Sequence, residues 1–366
     1  MSAELDARFM ALALALGTRG EGRTWPNPAV GCVIVRAGRI LARGWTQPGG
    51  RPHAEAHALS QISDARGATA YVTLEPCAHH GKTPPCAEAL VAAGIARVVY
   101  AVGDPDPRVA GRGGEILREA GIEVLEGVLE AEATRAHEGF LRRIREGRPS
   151  FTLKLATSFD GRIATATGES QWITGPEARR AVHAARASHD AVLVGAGTAR
   201  ADDPSLTVRG LGMAHQPVRI VASRRLDIPL QGTLARTARE VPLWLCHGQD
   251  ADPELCAAWD DLGARRLPLP LSGRQLDLGA VAQALGEAGL CRVYCEGGGA
   301  LAASLLDAGL VDCLTGYTAG LALGAEGQPS LGALGLDRLS DAPRYTLEAS
   351  RRVGADIEHT WRRSTP

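Results

Sequence analysis

Two α/β units in tandem are what this sequence predicts, and three observations carry that reading. The chain has 366 residues, more than one hydrophobic core usually organises. Strand-like and helix-like segments alternate through both halves, the pattern of sheets covered by crossover helices. Between the halves, Glu146-Gly147-Arg148-Pro149 interrupts a charged helical stretch, and Pro149 cannot continue a helix. The expected units are residues 1–147 and 150–366.

Taken in order, the run Phe9–Leu16 (FMALALAL) is short, lacks a basic segment before it and is followed by Thr18-Arg19-Gly20. It reads as a buried first helix rather than a secretory leader. Ala29–Val35 and Arg39–Gly44 flank Ala37-Gly38 and predict a hairpin. Helix His53–Ile62, strand Ala68–Leu74, helix Cys86–Ala93, strand Arg97–Val102, a helix near Gly113–Ala120 and strand Ile122–Val124 follow. One helical stretch over 130–145 ends this unit, which the alternation makes a three-layer α/β/α domain. The second unit opens with strand Phe151–Ala156 and helix Pro176–Ala187, then strands Asp190–Val194, Val218–Ala222, Val241–Cys246 and Arg265–Leu267. Helix Leu278–Glu287, strand Arg292–Cys295, helix Gly299–Ala308 and strand Val311–Tyr317 complete the series. Residues 224–290 and 325–366 carry weak signals, and the polar tail from Asp356 is expected to be less regular.

Composition narrows the function classes. Lys plus Arg (40) and Asp plus Glu (41) nearly cancel, so the basic footprint of a nucleic-acid binder is missing. No run approaches the length needed to cross a bilayer. The eight cysteines are scattered without a framework spacing, which suits a reduced, cytoplasmic protein.

Chemistry concentrates first in His53-Ala54-Glu55, Pro76-Cys77 and Cys86. One imidazole and two thiolates form a soft three-ligand set that leaves the fourth tetrahedral position of a zinc ion open, the mark of a catalytic site. Zinc in such a site lowers the pKa of its water to about 7. Glu55 need not bind metal and can carry a proton from water to a departing amine. An HxE alone is common by chance, and a lone buried Cys is more often a small hydrophobe. The ordered combination at strand–helix junctions is far more specific. Eight residues, AHHGKTPP, separate Cys77 from Cys86, where zinc deaminases of nucleobases use two. A loop between two ligands must lie over the metal and can reach a substrate.

In the second unit, strand Ala191–Val194 runs into Gly195-Ala196-Gly197-Thr198, and strand Arg292–Cys295 into Glu296-Gly297-Gly298-Gly299. Glycines at a strand-to-helix turn let backbone amides approach an anion at a helix N-terminus. Neither run fits GxGxxG, so an orthodox Rossmann site is not supported. Such turns are frequent in a chain with 44 glycines, and alone they make only a weak case for a nucleotide.

Thr24–Val33 (TWPNPAVGCV), Pro52–Glu55 (PHAE), Glu75–Cys86 (EPCAHHGKTPPC) and Gly103–Gly111 (GDPDPRVAG) closely resemble the bifunctional riboflavin-biosynthesis deaminase/reductase family. The second unit, from Phe151–Arg162 through Gly168–Thr174, Asp202–Arg209 and Glu296–Gly299, resembles its reductase half. The resemblance implies a cytidine-deaminase-like N-terminal domain and a dihydrofolate-reductase-like C-terminal domain. It also implies zinc-dependent deamination of a phosphoribosylated diaminopyrimidinone, then NADPH-dependent reduction of the ribose to a ribityl chain. It places Asn27, His79, Lys82 and Asp104 against the pyrimidine substrate, with Asp106 close by. Cofactor contacts are implied at Ala156, Trp172, Thr198, Asp202 and Ser223, and along Gly298, Gly299, Ala300, Leu301, Ala302, Ala303 and Ser304. Substrate contacts of the reductase are implied at Lys154, Ser170, Arg186, Leu206, Arg209 and Glu296.

Physical chemistry agrees in part. Arg186 and Arg209 are suited to a phosphate as bidentate donors, and Lys154 and Glu296 to ribose hydroxyls. The chain departs from the family at Thr46, where His is frequent, and at Asp106, where Asn is usual. Both bear on substrate contacts rather than on the metal. A homo-oligomer, most simply a dimer, is expected. Two rival readings fit less well. An RNA deaminase should show basic surface and stacking aromatics, yet aromatic residues are 4% of the chain. A zinc-stabilised sensor would leave Glu55 without a task.

Overall fold

The computed structural model describes residues 2–79, 84–106 and 109–364, which separate into two units, Met1–Gly147 and Arg148–Pro366. The first begins with α1 (Ala3–Gly17), whose buried Phe9, Met10, Ala13 and Leu16 recur at helical spacing and form one apolar stripe. The hairpin β1 (Gly31–Arg36) and β2 (Arg39–Trp45) leads to α2 (Ala54–Leu59), β3 (Thr69–Val72), α3 (Cys86–Ala92) and β4 (Arg97–Tyr100). Then come α4 (Arg112–Glu119), β5 (Glu123–Glu126), α5 (Glu130–Ala136) and α6 (Glu138–Glu146). The sheet order is β2-β1-β3-β4-β5. β1 is antiparallel to its neighbours, and β3, β4 and β5 run parallel. A Cβ on Gly44 would lie 2.1 Å from the carbonyl oxygen of Ala54. Glycine there lets α2 settle onto β2 and sets the position of its first turn.

The single helix expected over 130–145 is two, broken at His137. That imidazole is buried, with Nε2 2.9 Å from the Thr73 hydroxyl, and burial drags its pKa down to about 4. A break there lets the ring turn inward.

A buried ion pair ties α1 to the sheet. The Asp6 carboxylate receives Arg97 at 2.8 and 3.0 Å and the Tyr71 hydroxyl at 2.7 Å. The Arg97 guanidinium holds the Asp6 carboxyl below its usual range. Asp6→Ala leaves Arg97 without this partner and is expected to lower the stability of this unit by about 3 kcal/mol, read by chemical denaturation. A depressed folded pKa stabilises fully above the unfolded Asp value and is lost as pH falls through the folded one. The variant should therefore differ from the parent at neutral pH and converge with it in acid.

The second unit runs β6 (Ser150–Ser158), β7 (Arg162–Ala164), α7 (Pro176–Ala187), β8 (Ala191–Gly195), α8 (Ala196–Asp202), β9 (Val218–Ala222) and α9 (Thr233–Arg236). It continues with β10 (Leu243–Gly248), α10 (Pro253–Asp261), β11 (Arg265–Leu269), β12 (Leu271–Ser272), β13 (Gln275–Leu276) and α11 (Leu278–Glu287). β14 (Arg292–Cys295), α12 (Gly299–Asp307), β15 (Val311–Ala319), β16 (Gln328–Pro329), β17 (Tyr345–Val353) and β18 (Asp356–Arg363) close it. Nine strands form one sheet in the order β11-β10-β9-β8-β14-β6-β15-β18-β17.

Two stretches with weak signals prove ordered. Within 224–290, α10 sends Trp259, fully buried, into the core formed with Val192, Val221 and Leu245. At the C-terminus the expected irregular tail is instead β18, paired antiparallel with β15 and β17. β17 is exposed along nearly its whole length. An edge strand with both faces wet has no apolar alternation to betray it.

Candidate functional site

His53 is the N-cap of α2, Cys86 is the first residue of α3, and Cys77 lies in the loop after β3. Their ligand atoms lie within 4.8 Å of one another. His53 Nδ1 stands 3.6 Å from Cys77 Sγ and 3.4 Å from Cys86 Sγ. A tetrahedral zinc with ordinary Zn–N and Zn–S bonds sets its nitrogen and sulfur ligands about 3.6 Å apart. The donor set and its spacing therefore fit zinc. The Cys86 amide donates to Cys77 Sγ at 3.3 Å. Hydrogen bonds from Cys86 and then His53 pull the Cys77 pKa down to about 4, against the effect of burial.

Glu55, on the first turn of α2, is 4% exposed. Burial, and then the Cys77 thiolate, raise its pKa to about 7, where a carboxyl group both takes and gives protons near neutrality. Asp104 is also buried, and burial lifts its carboxyl to about 6. Its Oδ1 accepts the amide of Asp106 at 2.9 Å. His79 Nδ1 is buried without a hydrogen-bond partner among the described residues, as suits a group that meets a ligand. Asn27 donates to the Gly50 carbonyl at 3.2 Å. Lys82 and His80 lie outside the described residues. Thr46 is buried, and its hydroxyl accepts the Val30 amide at 3.0 Å. Its polar atom thus serves the backbone.

The second unit holds a cleft of about 1680 Å³ over the carboxyl ends of its parallel strands, lined by Lys154, Ala156, Ser170, Trp172, Thr198, Asp202 and Ser223. Arg186, Leu206, Arg209, Glu296, Gly298, Gly299, Ala300, Leu301 and Ser304 share the lining. Ligands of open α/β sheets bind at such strand ends. β8 and β14 are neighbours, so the turns into α8 and α12 lie side by side. The Gly298 amide donates to Thr198 Oγ1 at 3.1 Å and joins them. First-turn amides of a helix have no acceptor of their own, and two such turns on one wall fit the pyrophosphate of a dinucleotide.

Two expectations for this cleft change. Ala302 and Ala303 do not line it; both are buried in the core, because successive helical residues point around the axis and cannot all face one wall. Nor is Arg186 an open fork. Its Nε and Nη2 donate to Glu296 at 2.5 and 3.0 Å and its Nη1 to the Thr207 carbonyl at 2.8 Å. Burial pushes the Glu296 carboxyl up, but Arg186 and then Lys154 outweigh it and hold it below its usual range. Lys154 Nζ lies 3.9 Å away. Leu206 adopts φ +55°, a conformation that non-glycine residues keep mainly where the surroundings impose it.

Sequence reasoning missed Arg179, which stacks 4.5 Å from the centre of the Trp172 ring. It also assigned no role to Glu75, although the EPC motif containing it was in view. The four amides that meet Glu75 come from residues 104 to 114, and nothing in their sequence announces it.

Residues 3–102 match the family model for the cytidine and deoxycytidylate deaminase zinc-binding region. Residues 149–358 match that of the RibD C-terminal domain. The chain is 44% identical over 363 residues to the riboflavin biosynthesis protein RibD of Escherichia coli, covering 96% of this chain and 98% of that one. The structure of Acinetobacter baumannii RibD superposes with a TM-score of 0.89 at 38% identity, each chain fully covered. That of a diaminohydroxyphosphoribosylaminopyrimidine deaminase/5-amino-6-(5-phosphoribosylamino)uracil reductase from Thermotoga maritima gives 0.86 at 34% identity, with 99% of each chain covered.

Proposed function

The chain belongs to the RibD family of bifunctional riboflavin-biosynthesis enzymes, and from that premise we propose which of its residues do the work. It is a zinc-dependent deaminase and NADPH-dependent reductase acting on intermediates of the riboflavin pathway. The substrate of the first step is a phosphoribosylated diaminopyrimidinone, and that of the second is the resulting phosphoribosylaminouracil. The observation that carries the reading is the zinc-matched triangle of His53, Cys77 and Cys86 with Glu55 buried beside it.

Zinc held there supplies Lewis acidity toward water. Glu55 takes the proton from that water and delivers it to the departing amine, as its near-neutral pKa permits. His79, Asn27, Lys82 and Asp104 hold the pyrimidine and its phosphoribosyl arm. In the reductase cleft NADPH supplies hydride, and the chain's residues position it and the ribose. The joined turns at Thr198 and Gly298 hold the pyrophosphate, with Ala156, Trp172, Asp202, Ser223, Gly299, Ala300, Leu301 and Ser304 around it. Glu296 and Lys154 face the ribose, Arg186 fixes Glu296, Arg209 receives phosphate, and Ser170 and Leu206 line the ribose side. Unit boundaries at 1–147 and 150–366, a cytoplasmic location and a homodimer belong to the same proposal. No disulfide joins the eight cysteines, all of them among the described residues, which supports the location, and the exposed edge strand β17 supports pairing. No helix among the described residues is long and apolar enough to cross a membrane.

Supplying the diaminopyrimidinone phosphate with NADPH and weighing the products tests the proposal. The expected result is the mass shift of amine-for-oxygen exchange, followed by the gain of two hydrogens only when NADPH is present. An unchanged mass would sink it.

A further inference from the structure

The Glu75 carboxylate lies inside the first unit, 4% exposed, and is met by four backbone amides. Oε2 accepts from Asp104 at 3.2 Å and Gly111 at 3.1 Å. Oε1 accepts from Gly113 at 3.0 Å and Gly114 at 3.3 Å. Gly111 is the N-cap of α4, and Gly113 and Gly114 belong to its first turn, so the carboxylate satisfies donors that the helix cannot satisfy itself. Its own amide donates to the Val102 carbonyl at 2.9 Å. Glu75 is thereby bonded at both ends to the segment that follows β4.

That segment carries Asp104, whose backbone is one of the four donors. On the other side, Glu75 is followed by Pro76 and the metal ligand Cys77. A Cβ on Gly113 would lie 2.0 Å from the Pro76 carbonyl oxygen, so α4 is seated directly against the backbone that delivers Cys77. Among the described residues, Glu75 itself makes no hydrogen bond to a metal ligand or to Glu55. Its position sets the distance between two things, the ligand loop and the segment bearing Asp104.

We propose that Glu75 is a positioning residue of the deaminase, a strut that fixes the Asp104 segment against the Cys77 loop and so registers the pyrimidine ring over the metal. The proposal rests on the assignment of Asp104 to the substrate. A strut of this kind acts on the contacts that hold the substrate, and a hydrogen bond to a charged group such as Asp104 is worth roughly ten- to a hundredfold in affinity. Glu75 is neither one of the three clustered ligands His53, Cys77 and Cys86 nor the proton carrier Glu55, so its effect is expected on the binding of substrate rather than on metal content.

Glu75→Gln tests this in the full-length zinc-loaded enzyme, because it keeps the shape and turns one acceptor into a donor facing amide hydrogens. Zinc content and NADPH-dependent reduction are expected at parental values. Hydrogen exchange at Asp104, Gly111, Gly113 and Gly114 is expected to quicken, and KM for deamination to rise about ten- to a hundredfold with a smaller change in kcat. Parental exchange, or a parental KM despite faster exchange, overturns the proposal. Loss of zinc together with kcat also overturns it, since Glu75 would then only support the metal loop. Asp104→Asn separates this from the assignment beneath it. KM should rise there with exchange unchanged, and a parental KM in Asp104→Asn removes the assignment and the proposal with it. KM raised in Asp104→Asn but not in Glu75→Gln overturns the proposal alone. Should Glu75→Gln fail to fold, Glu75→Asp, which keeps the charge and retracts it, is held to the same outcomes.

Discussion

Glu55→Gln is expected to lose deamination by at least about a hundredfold while keeping its zinc and its reductase activity. Proton transfer by a placed side chain contributes roughly that much or more, and an amide can neither take the proton from water nor pass it to the amine. Glu55 is not among the three clustered ligands, so the metal should stay, as elemental analysis will show. Cys77→Ser is the contrasting variant, in which metal and deamination should disappear together. Reduction of the deaminated substrate belongs to the other unit and should continue in both. Zinc lost from Glu55→Gln would make the residue a ligand, and retained deamination would leave the proton carrier unidentified.

The second large effect is expected at Glu296→Gln, where NADPH-dependent reduction should fall by about a hundredfold or more and deamination should not change. Glu296 is 8% exposed at its side chain and sits between Arg186 and Lys154. Removing one charge from a buried pair costs about 3–5 kcal/mol, because the partner is left uncompensated. The Arg186 guanidinium would face a neutral amide, and Lys154 would lose the carboxylate that holds it toward the cleft. Steady-state reduction of the deaminated substrate, with deamination measured on the same preparation, checks this. Reduction within a few-fold of the parent would show that the triad is structural.

The same triad shows where the sequence runs out. Arg186 and Glu296 are 110 positions apart, and the sequence offers each a plausible ligand while saying nothing of their attraction for each other. The metal site was legible for the opposite reason. Its three ligands belong to residue types with narrow chemistry, in a fixed order, at ends of elements whose periodicity could be read. Ala302 and Ala303 were misplaced because a contiguous stretch was assigned as one contact surface, whereas a helix shows a cleft only part of its circumference. β17 escaped because an exposed edge strand has no buried face to set a period, and β18 because its residues are mostly half-buried and show no alternation either. Glu75 stood inside a motif in plain view, but its partners are backbone amides, which every residue except proline possesses.

The hydrogen bond from the Gly298 amide to the Thr198 hydroxyl has an evolutionary reading. It joins turns that lie a hundred positions apart in the chain, so neither can drift alone. Serine at 198 preserves the acceptor, whereas alanine or valine strands an amide beside the cleft. A backbone shift at either glycine turn must be matched by one at the other. Descendants of this gene should therefore change the two turns together or hardly at all, and a graft that transplants one of them into a foreign scaffold would carry over half a cradle.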